Sequence, residues 1–359
     1  MRRSEKILRF SFQLLSDVLP DFTHCSNSTP WRWALLLPIY RQPDATRDSA
    51  RTDSRRGGRV RKRRRVSLQL FLTIILNGLT LAALYFIVAS GFSLIFGLMR
   101  TVNMAHGSLY MVGAYIGYAL WEPLYDQDAW YAWYIGVLAG MAAAAAVGVV
   151  MQKTLLGWMQ GQELRQALVT IGLSIIVADQ ILAGFGGNPR QFFAPDAIFG
   201  SSYVPGVGRY PTFRLFQIGV AVAVGIGLWL LLNRTKVGLM IRAGVDDRAM
   251  LSACGVNVPV VNIVVFALGA ALAGLGGVIG ATAQPLAQGV DGRFLLISLV
   301  VVIVGGMGSI TGTAIGAILV GLAEQVGQAL FPTYSVILTF VIMVVVLALR
   351  PQGIMGRAP

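Results

Sequence analysis

Side chains able to do chemistry are scarce in this chain. Two histidines, His24 and His106, are too few for a histidine metal site, and Cys25 and Cys254 are too few for a disulfide framework. None of the four lysines, Lys6, Lys62, Lys153 and Lys236, follows a glycine, so the phosphate-cradling G-x-x-x-x-G-K-[ST] loop is absent. The G-x-S-x-G and H-E-x-x-H patterns are absent as well. No catalytic set and no metal site are expected. The polar groups worth following lie in the segment Gly97–Gly113, between two apolar runs. Asn103 offers donor and acceptor atoms, His106 can donate or accept, and Gly107 lets a helix break. Polar groups at membrane depth are costly and usually face a cavity or a partner. A broken helix is tolerated there where it lines a cavity or is covered by protein, and its freed end can hold an ionic solute group. Asn103, His106, Gly107 and Tyr110 are therefore candidates for a solute path. The plainer reading is that Asn103 and His106 cap a helix end.

Two further segments carry pattern. Gly238–Asn257 is the longest charged stretch beyond residue 66 and contains Arg242, Ala243, Asp246, Asp247 and Ala253. Asp246 and Asp247 precede Ala249-Met250-Leu251, which suits a helix start, and Gly255 stands where that helix would stop. A short surface helix capped in this way suggests a docking element, although such loops are often plain connections. Gly305, Gly306 and Gly308 interrupt the apolar run Phe294–Glu324, which then reads as two short helices around a glycine break. These three glycines join the path candidates.

The elements that would position these groups are membrane spans. Ser67–Met99 has no charged residue, and a span needs about 20 apolar residues. It reads as one long tilted helix, or as a helix plus a re-entrant half. Further spans are expected at Ala105–Trp121, Trp130–Met151, Leu168–Phe185, Leu215–Leu232, Val258–Ala283, Phe294–Glu324 and Tyr334–Leu349. The total is about nine crossings, with eight or ten equally defensible. Loops 152–165 and 233–257 and the C-terminus, with Arg350 and Arg357, carry Lys and Arg and belong inside. Loop 122–130, with Glu122, Asp126 and Asp128, and loop 186–214 belong outside. Parity then puts Arg100 inside and the N-terminus outside, if Ser67–Met99 crosses once. The basic run Arg61–Arg65 asks for the opposite. Gly113/Gly117, Gly136/Gly140, Gly276/Gly280 and Gly308/Gly312/Gly316 lie four apart, the spacing that stacks small residues on one helix face and brings backbones together. Two isolated carboxylates, Asp179 and Glu324, are functional suspects in such a setting; a structural role is expected for both.

Composition agrees. Of 359 residues, 55% are hydrophobic and 13% charged, with 42 glycines, whereas a soluble domain carries about 25% charged residues. The expected fold class is all-α, a polytopic transmembrane helix bundle with some broken or half-length helices. The formal charge of +13 looks like a nucleic-acid binder, but residues 1–66 hold 16 Lys/Arg against 6 Asp/Glu and residues 67–359 hold 13 against 10. Basicity belongs to one end, no folded reader accompanies it, and no nucleic-acid partner is expected. Residues 1–66 are expected to be a disordered extension that touches anionic lipid, or the product of a start codon placed too far upstream. The domain proper is then 67–359.

Taken together, the motifs resemble the branched-chain amino acid permeases of ABC importers, the LivH-like subunits. Asn103-Met104-Ala105-His106-Gly107 matches the family's N-[FM]-A-H-G. Gly238-Leu239-Met240-Ile241-Arg242-Ala243, followed by Leu251-Ser252-Ala253-Cys254-Gly255, matches its G-[LM]-x-x-R-A…A-x-x-x-G loop. Val304-Gly305-Gly306-Met307-Gly308-Ser309-Ile310-Thr311-Gly312 matches its late glycine-rich segment. The likeness covers about residues 67–355. Ser108 departs from it, standing where many relatives have an acidic residue. The resemblance implies a multi-pass subunit of the bacterial inner membrane that pairs with a second, similar permease subunit, two cytoplasmic ATPase subunits and a periplasmic solute-binding protein. It implies no cofactor of the chain's own, since ATP is used by the partners. The loop of about 234–257 would be the coupling helix seated in the ATPase, carrying Gly238, Arg242, Ala243, Asp246, Asp247, Ala253 and Gly255. A permease of the same build for urea or short-chain amides, and an ion-coupled secondary transporter, are the competing functions. The latter would want midplane carboxylates and no docking helix.

Overall fold

The computed structural model describes residues 56–125, 130–330 and 332–356. The extension up to residue 55, with His24 and Cys25, lies outside them, as do Asp126, Asp128 and Arg357. The helical body is the unit Gly58–Pro359.

Its first helix, α1 (Arg56–Met99), is 44 residues long, about 66 Å at 1.5 Å per residue. Ser67 marks a change in composition but not in backbone, which is helical on both sides of it. The helix ends at Arg100, which takes φ +53° while its N–H still bonds the Phe96 carbonyl at 2.8 Å. A non-helical segment leads to α2 (His106–Tyr125), and then to α3 (Ala132–Met151). α3 unwinds through a π turn (Gln152–Leu156) and a 3-10 turn (Gly157–Met159). Gln166 Nε2 satisfies the freed Leu156 and Met159 carbonyls at 3.3 and 2.8 Å.

α4 (Glu163–Phe185) leads to a one-turn helix, α5 (Asp196–Phe199), and an antiparallel hairpin. Its strands are β1 (Ser201–Val204) and β2 (Gly208–Pro211), in a register that sets Ser201 against Pro211. The remaining helices are α6 (Thr212–Arg234), α7 (Lys236–Asp246), α8 (Arg248–Ala253), α9 (Val258–Ala283), α10 (Val290–Gly305), α11 (Ile310–Leu330) and α12 (Ser335–Leu349). Among the described residues, six helices are long and apolar enough to cross a membrane. α12 adds a shorter apolar stretch, Ile337–Leu349. This is the expected polytopic all-α bundle. The break in Phe294–Glu324 falls at Gly306–Ser309, between α10 and α11.

The two ends are distinct. At one, Gln69 Nε2 donates to the Val207 carbonyl in the hairpin at 2.8 Å, and Arg190 pairs through its backbone with Leu286. At the other, Arg100 meets α7, and the tail after α12 covers the end of α10, with Ile354 N–H on the Val304 carbonyl at 3.0 Å and Met355 N–H on Gly305 at 2.9 Å. The three basic loops thus share one end, while the hairpin and Glu122 share the other. α1 runs once from the hairpin end to the basic end. The backbone of Arg61–Arg65 accordingly enters on the side opposite the basic loops, so parity and the local charge rule disagree there.

The core is built on glycine. α2, α3 and α9 meet along Gly113, Gly117, Gly136, Gly140, Gly274 and Gly277. A Cβ at Gly117 would sit 2.8 Å from the Gly136 carbonyl oxygen, and one at Gly113 would collide with the Gly274 backbone. Gly276 lies against Val88, Gly280 against the Tyr110 hydroxyl, Gly308 against Gly97, and Gly312 and Gly316 against α10. Gly113/Gly117, Gly136/Gly140, Gly276/Gly280 and Gly312/Gly316 are therefore close helix contacts, whereas Gly308 lies in the break before α11 and shares no helix face with Gly312 and Gly316. Between helices in lipid, van der Waals contact and hydrogen bonds must drive association, and small residues maximise the contact.

Candidate functional site

Asn103 organises the non-helical segment. Its Oδ1 accepts from Ala105 N–H at 3.0 Å, its carbonyl accepts from His106 N–H at 3.3 Å, and Met104 N–H donates to Thr170 Oγ1 on α4 at 3.1 Å. The result is a capped start for α2. The Nε2 atom of His106 is 3.0 Å from the Val88 carbonyl. Val88 lies eleven residues back from Met99, about 16 Å along α1. The chain therefore turns at Arg100 and folds back along α1 before α2 begins; the charge-free run Ser67–Met99 is itself the one long helix expected, with no re-entrant half in it.

His106 is fully buried, its ring edge-on to Phe92 at 5.3 Å. With Nε2 donating to a carbonyl, the neutral ring leaves Nδ1 as an acceptor. His106 Nδ1, Asn103 Nδ2 and Ser108 Oγ are all buried without a hydrogen-bond partner. Buried polar atoms are normally paired, so three orphans at one helix start mark a functional candidate. Gly107 fits tightly here, since a Cβ would collide with the Asp291 carbonyl of α10. One turn on, Tyr110 stacks on Phe294 with centroids 4.2 Å apart. Asn103, His106, Gly107 and Tyr110 therefore form one locus where α1, α2, α9 and α10 converge.

The other glycine candidates lie elsewhere. Gly305 packs on the Gly312 carbonyl, Gly306 adopts φ +106° against Gly356, and a Cβ at Gly308 would sit 3.1 Å from the Gly97 Cα. They form the elbow between α10 and α11 at the basic end, sealed by the C-terminal tail.

The charged loop contains two helices where one was expected. Thr235 Oγ1 caps α7 by accepting from Gly238 N–H at 3.1 Å, and Gly238 packs on the Leu231 and Leu232 backbone of α6, so the chain turns back tightly. Asp247 Oδ1 caps α8, accepting from Ala249 and Met250 N–H at 2.8 and 3.1 Å. Gly255 ends it at φ +80°. Both cap positions agree with the sequence pattern. Ile241 and Leu251 are buried, whereas Leu239, Met250, Arg242, Asp246 and Asp247 are exposed. The hairpin of helices is thus anchored on one face and open on the other. Arg242 Nη1 donates to Asn233 Oδ1 at 3.2 Å, and Ala243 lies one turn below the Asp247 cap, accepting its N–H at 2.9 Å. Ala253 is the last residue of α8.

Of the two isolated carboxylates, Asp179 is exposed on α4, six residues short of its end at the hairpin side. Glu324 on α11 is buried and fully engaged. Its Oε2 accepts from the Tyr85 hydroxyl at 2.6 Å, and its Oε1 accepts from Arg293 Nη2 at 3.0 Å and Gln328 Nε2 at 3.3 Å. A buried carboxylate stripped of such partners would cost several kcal/mol. Arg293 and Tyr85 are absent from the motif-based candidates. A signal did exist: Arg293 and Glu324 are the only charges between Asp291 and Arg350.

The sequence profile of the family described as "Branched-chain amino acid transport system / permease component" matches residues 74–347. The chain is 28% identical over 303 residues to the high-affinity branched-chain amino acid transport system permease protein BraD of Pseudomonas aeruginosa, covering 80% of this chain and 96% of that protein. It is 26% identical over 300 residues to the corresponding permease protein LivH of Escherichia coli, covering 80% and 96%. It is also 26% identical over 300 residues to LivM of Escherichia coli, covering 77% of this chain and 68% of that protein.

Proposed function

The chain belongs to the branched-chain amino acid transport permease family, and on that membership we propose that it is one transmembrane half of an ATP-driven importer that moves branched-chain amino acids across the bacterial inner membrane. It works with a second permease subunit of similar build, two ATPase subunits and a solute-binding protein outside. The chain brings no cofactor; ATP is spent by the partners. The basic end faces the cytoplasm and the hairpin end faces out.

The observation that carries this reading is a mechanical one. The exposed α7–α8 pair, with Arg242, Ala243, Asp246, Asp247 and Ala253 between Gly238 and Gly255, is tied to the buried start of α2 through one short segment. Arg100 ends α1, bonds the Val245 carbonyl of α7 at 3.1 Å, and opens the six-residue path to His106. A partner that moves α7 therefore moves the polar locus of Asn103, His106, Gly107 and Tyr110. In this reading the locus lines the solute path, and the Gly305, Gly306 and Gly308 elbow lets α10 and α11 tilt beside it. ATP binding favours one of two arrangements because the ATPase pair grips α7–α8 differently in each.

The test is leucine uptake into proteoliposomes holding the chain with its permease and ATPase partners and the binding protein. Uptake that requires hydrolysable ATP supports the assignment. Uptake by this chain alone, or driven by an ion gradient without ATP, refutes it.

A further inference from the structure

The Arg293–Glu324 pair is built for more than holding three helices. Glu324 is already bonded at both oxygens, by Tyr85 at Oε2 and by Arg293 and Gln328 at Oε1. Arg293 is different. Its side chain is 51% exposed although its partner carboxylate is 4% exposed. The pair lies towards the hairpin end, with Arg293 in the first turn of α10 and Glu324 six residues from the end of α11. Tyr85 is fourteen residues from Met99, and Glu324 fourteen from Ile310, which sets the guanidinium about 21 Å from the basic end. From the first turn of α10 the open edge of Arg293 is within reach of water at the hairpin end, the side from which a solute would enter. Beside it there is room: a Cβ at Gly289 or Gly292 would meet nothing within 4 Å. The pair is also continuous with the candidate path. Phe294, next in sequence, stacks on Tyr110 and stands edge-on to Tyr85 with centroids 6.2 Å apart.

A planar guanidinium with donors to spare is the natural receptor for a carboxylate, which it can grip with two parallel hydrogen bonds. Neutralisation by Glu324 keeps that grip weak, as a transport site requires, because cargo must leave as readily as it enters. Resting on the importer reading above, we infer that Arg293, held in place by Glu324 and Tyr85, receives the α-carboxylate of the amino acid in transit.

The experiment uses the full assembled complex in proteoliposomes with leucine as the probe. Arg293→Gln should reduce ATP-dependent uptake by about tenfold or more, the scale of one charge-assisted hydrogen bond, and Arg293→Lys should retain part of it. In a chain carrying Cys25→Ser and Cys254→Ser, Arg293→Cys should be inactive. Its thiol should react with a water-soluble thiosulfonate, and leucine should slow that reaction. An aminoethyl adduct should restore uptake and a sulfonatoethyl adduct should not. The inference is overturned if Arg293→Gln imports leucine at the wild-type rate, or if the R293C thiol is out of reach of the reagent or unprotected by leucine. It is equally overturned if the Gln and Cys variants fail to assemble with the second permease subunit, which would make Arg293 an assembly contact. Absence of uptake by the wild-type complex would instead sink the importer reading itself.

Discussion

Arg100 Nη2 donates to the Val245 carbonyl at 3.1 Å across 145 positions of sequence. Arg100 also holds the only positive φ of a non-glycine among the described residues, +53°. The last carbonyls of α7 and the turn that ends α1 are thus joined through one side chain. Such backbone strain costs about 1–3 kcal/mol and persists where the surroundings over-determine it. Here the over-determining contact is the bond to α7.

If that bond transmits motion, Arg100→Gly and Arg100→Ala should both lower leucine imported per ATP hydrolysed, by severalfold. Glycine relieves the left-handed backbone and alanine does not. A side-chain latch predicts equal loss in the two variants. Loss in the alanine variant alone would assign the role to the backbone turn, and an unchanged ratio in both would remove Arg100 from coupling.

The caps of α8 give a graded test. Asp247→Ala removes the acceptor for two N–H groups, a loss of about 1 kcal/mol. Gly255→Val forces a β-branched residue to φ +80°, where left-handed backbone costs about 1–2 kcal/mol, while Gly255→Asn tolerates it better. Binding of the ATPase subunits in a pull-down should therefore weaken in the order Asn, Ala, Val, with membrane insertion unaffected. Undiminished binding in the Val variant would take α8 out of the docking surface.

Much of this architecture is legible from residue order. The uncharged run after Ser67 announces α1, Asp247 and Gly255 announce the ends of α8, and Gly305-Gly306 announces the elbow. What escapes is long-range. Glu324 finds Arg293 at 31 positions and Tyr85 at 239 only because α10 folds back on α11 beside α1. The second loop helix, α7, has a local signal in its Thr235 cap, which the motifs do not include, while the packing of Gly238 on α6 that turns the chain back is long-range. The pairing of His106 with the Val88 carbonyl, on another helix, is likewise beyond any local pattern.

The glycine seam separates packing from flexibility. Gly113→Leu or Gly274→Leu must push α2, α3 and α9 apart, and overpacking of this kind costs about 1–3 kcal/mol or more. Gly172 and Gly227, where an added Cβ meets nothing within 4 Å, are matched controls. In detergent, the Leu variants should lose most of their folded yield, and Gly172→Ala and Gly227→Ala should match the wild type. Equal behaviour of the two sets would mean that close backbone approach contributes little to this bundle.

The Tyr85–Glu324–Arg293 triad predicts an order of stabilities. Tyr85→Phe removes one donor and leaves Glu324 with Arg293 and Gln328, a loss of about 1.5–3 kcal/mol for a hydrogen bond to a charged group. Glu324→Gln keeps the volume but turns an ion pair into a neutral contact. Glu324→Leu leaves the guanidinium without its counter-charge, and breaking a buried pair costs about 3–5 kcal/mol. The exposed half of Arg293 lets water offset part of that cost, so the loss should fall at the low end. Melting temperatures of the purified complex should therefore fall in the order Phe, Gln, Leu. Adding Arg293→Met to Glu324→Leu should recover stability, because the double variant strands no charge. If the double variant is no more stable than Glu324→Leu alone, the triad does not act as an electrostatic unit, and α10 is held to α11 by the glycine contacts at its other end.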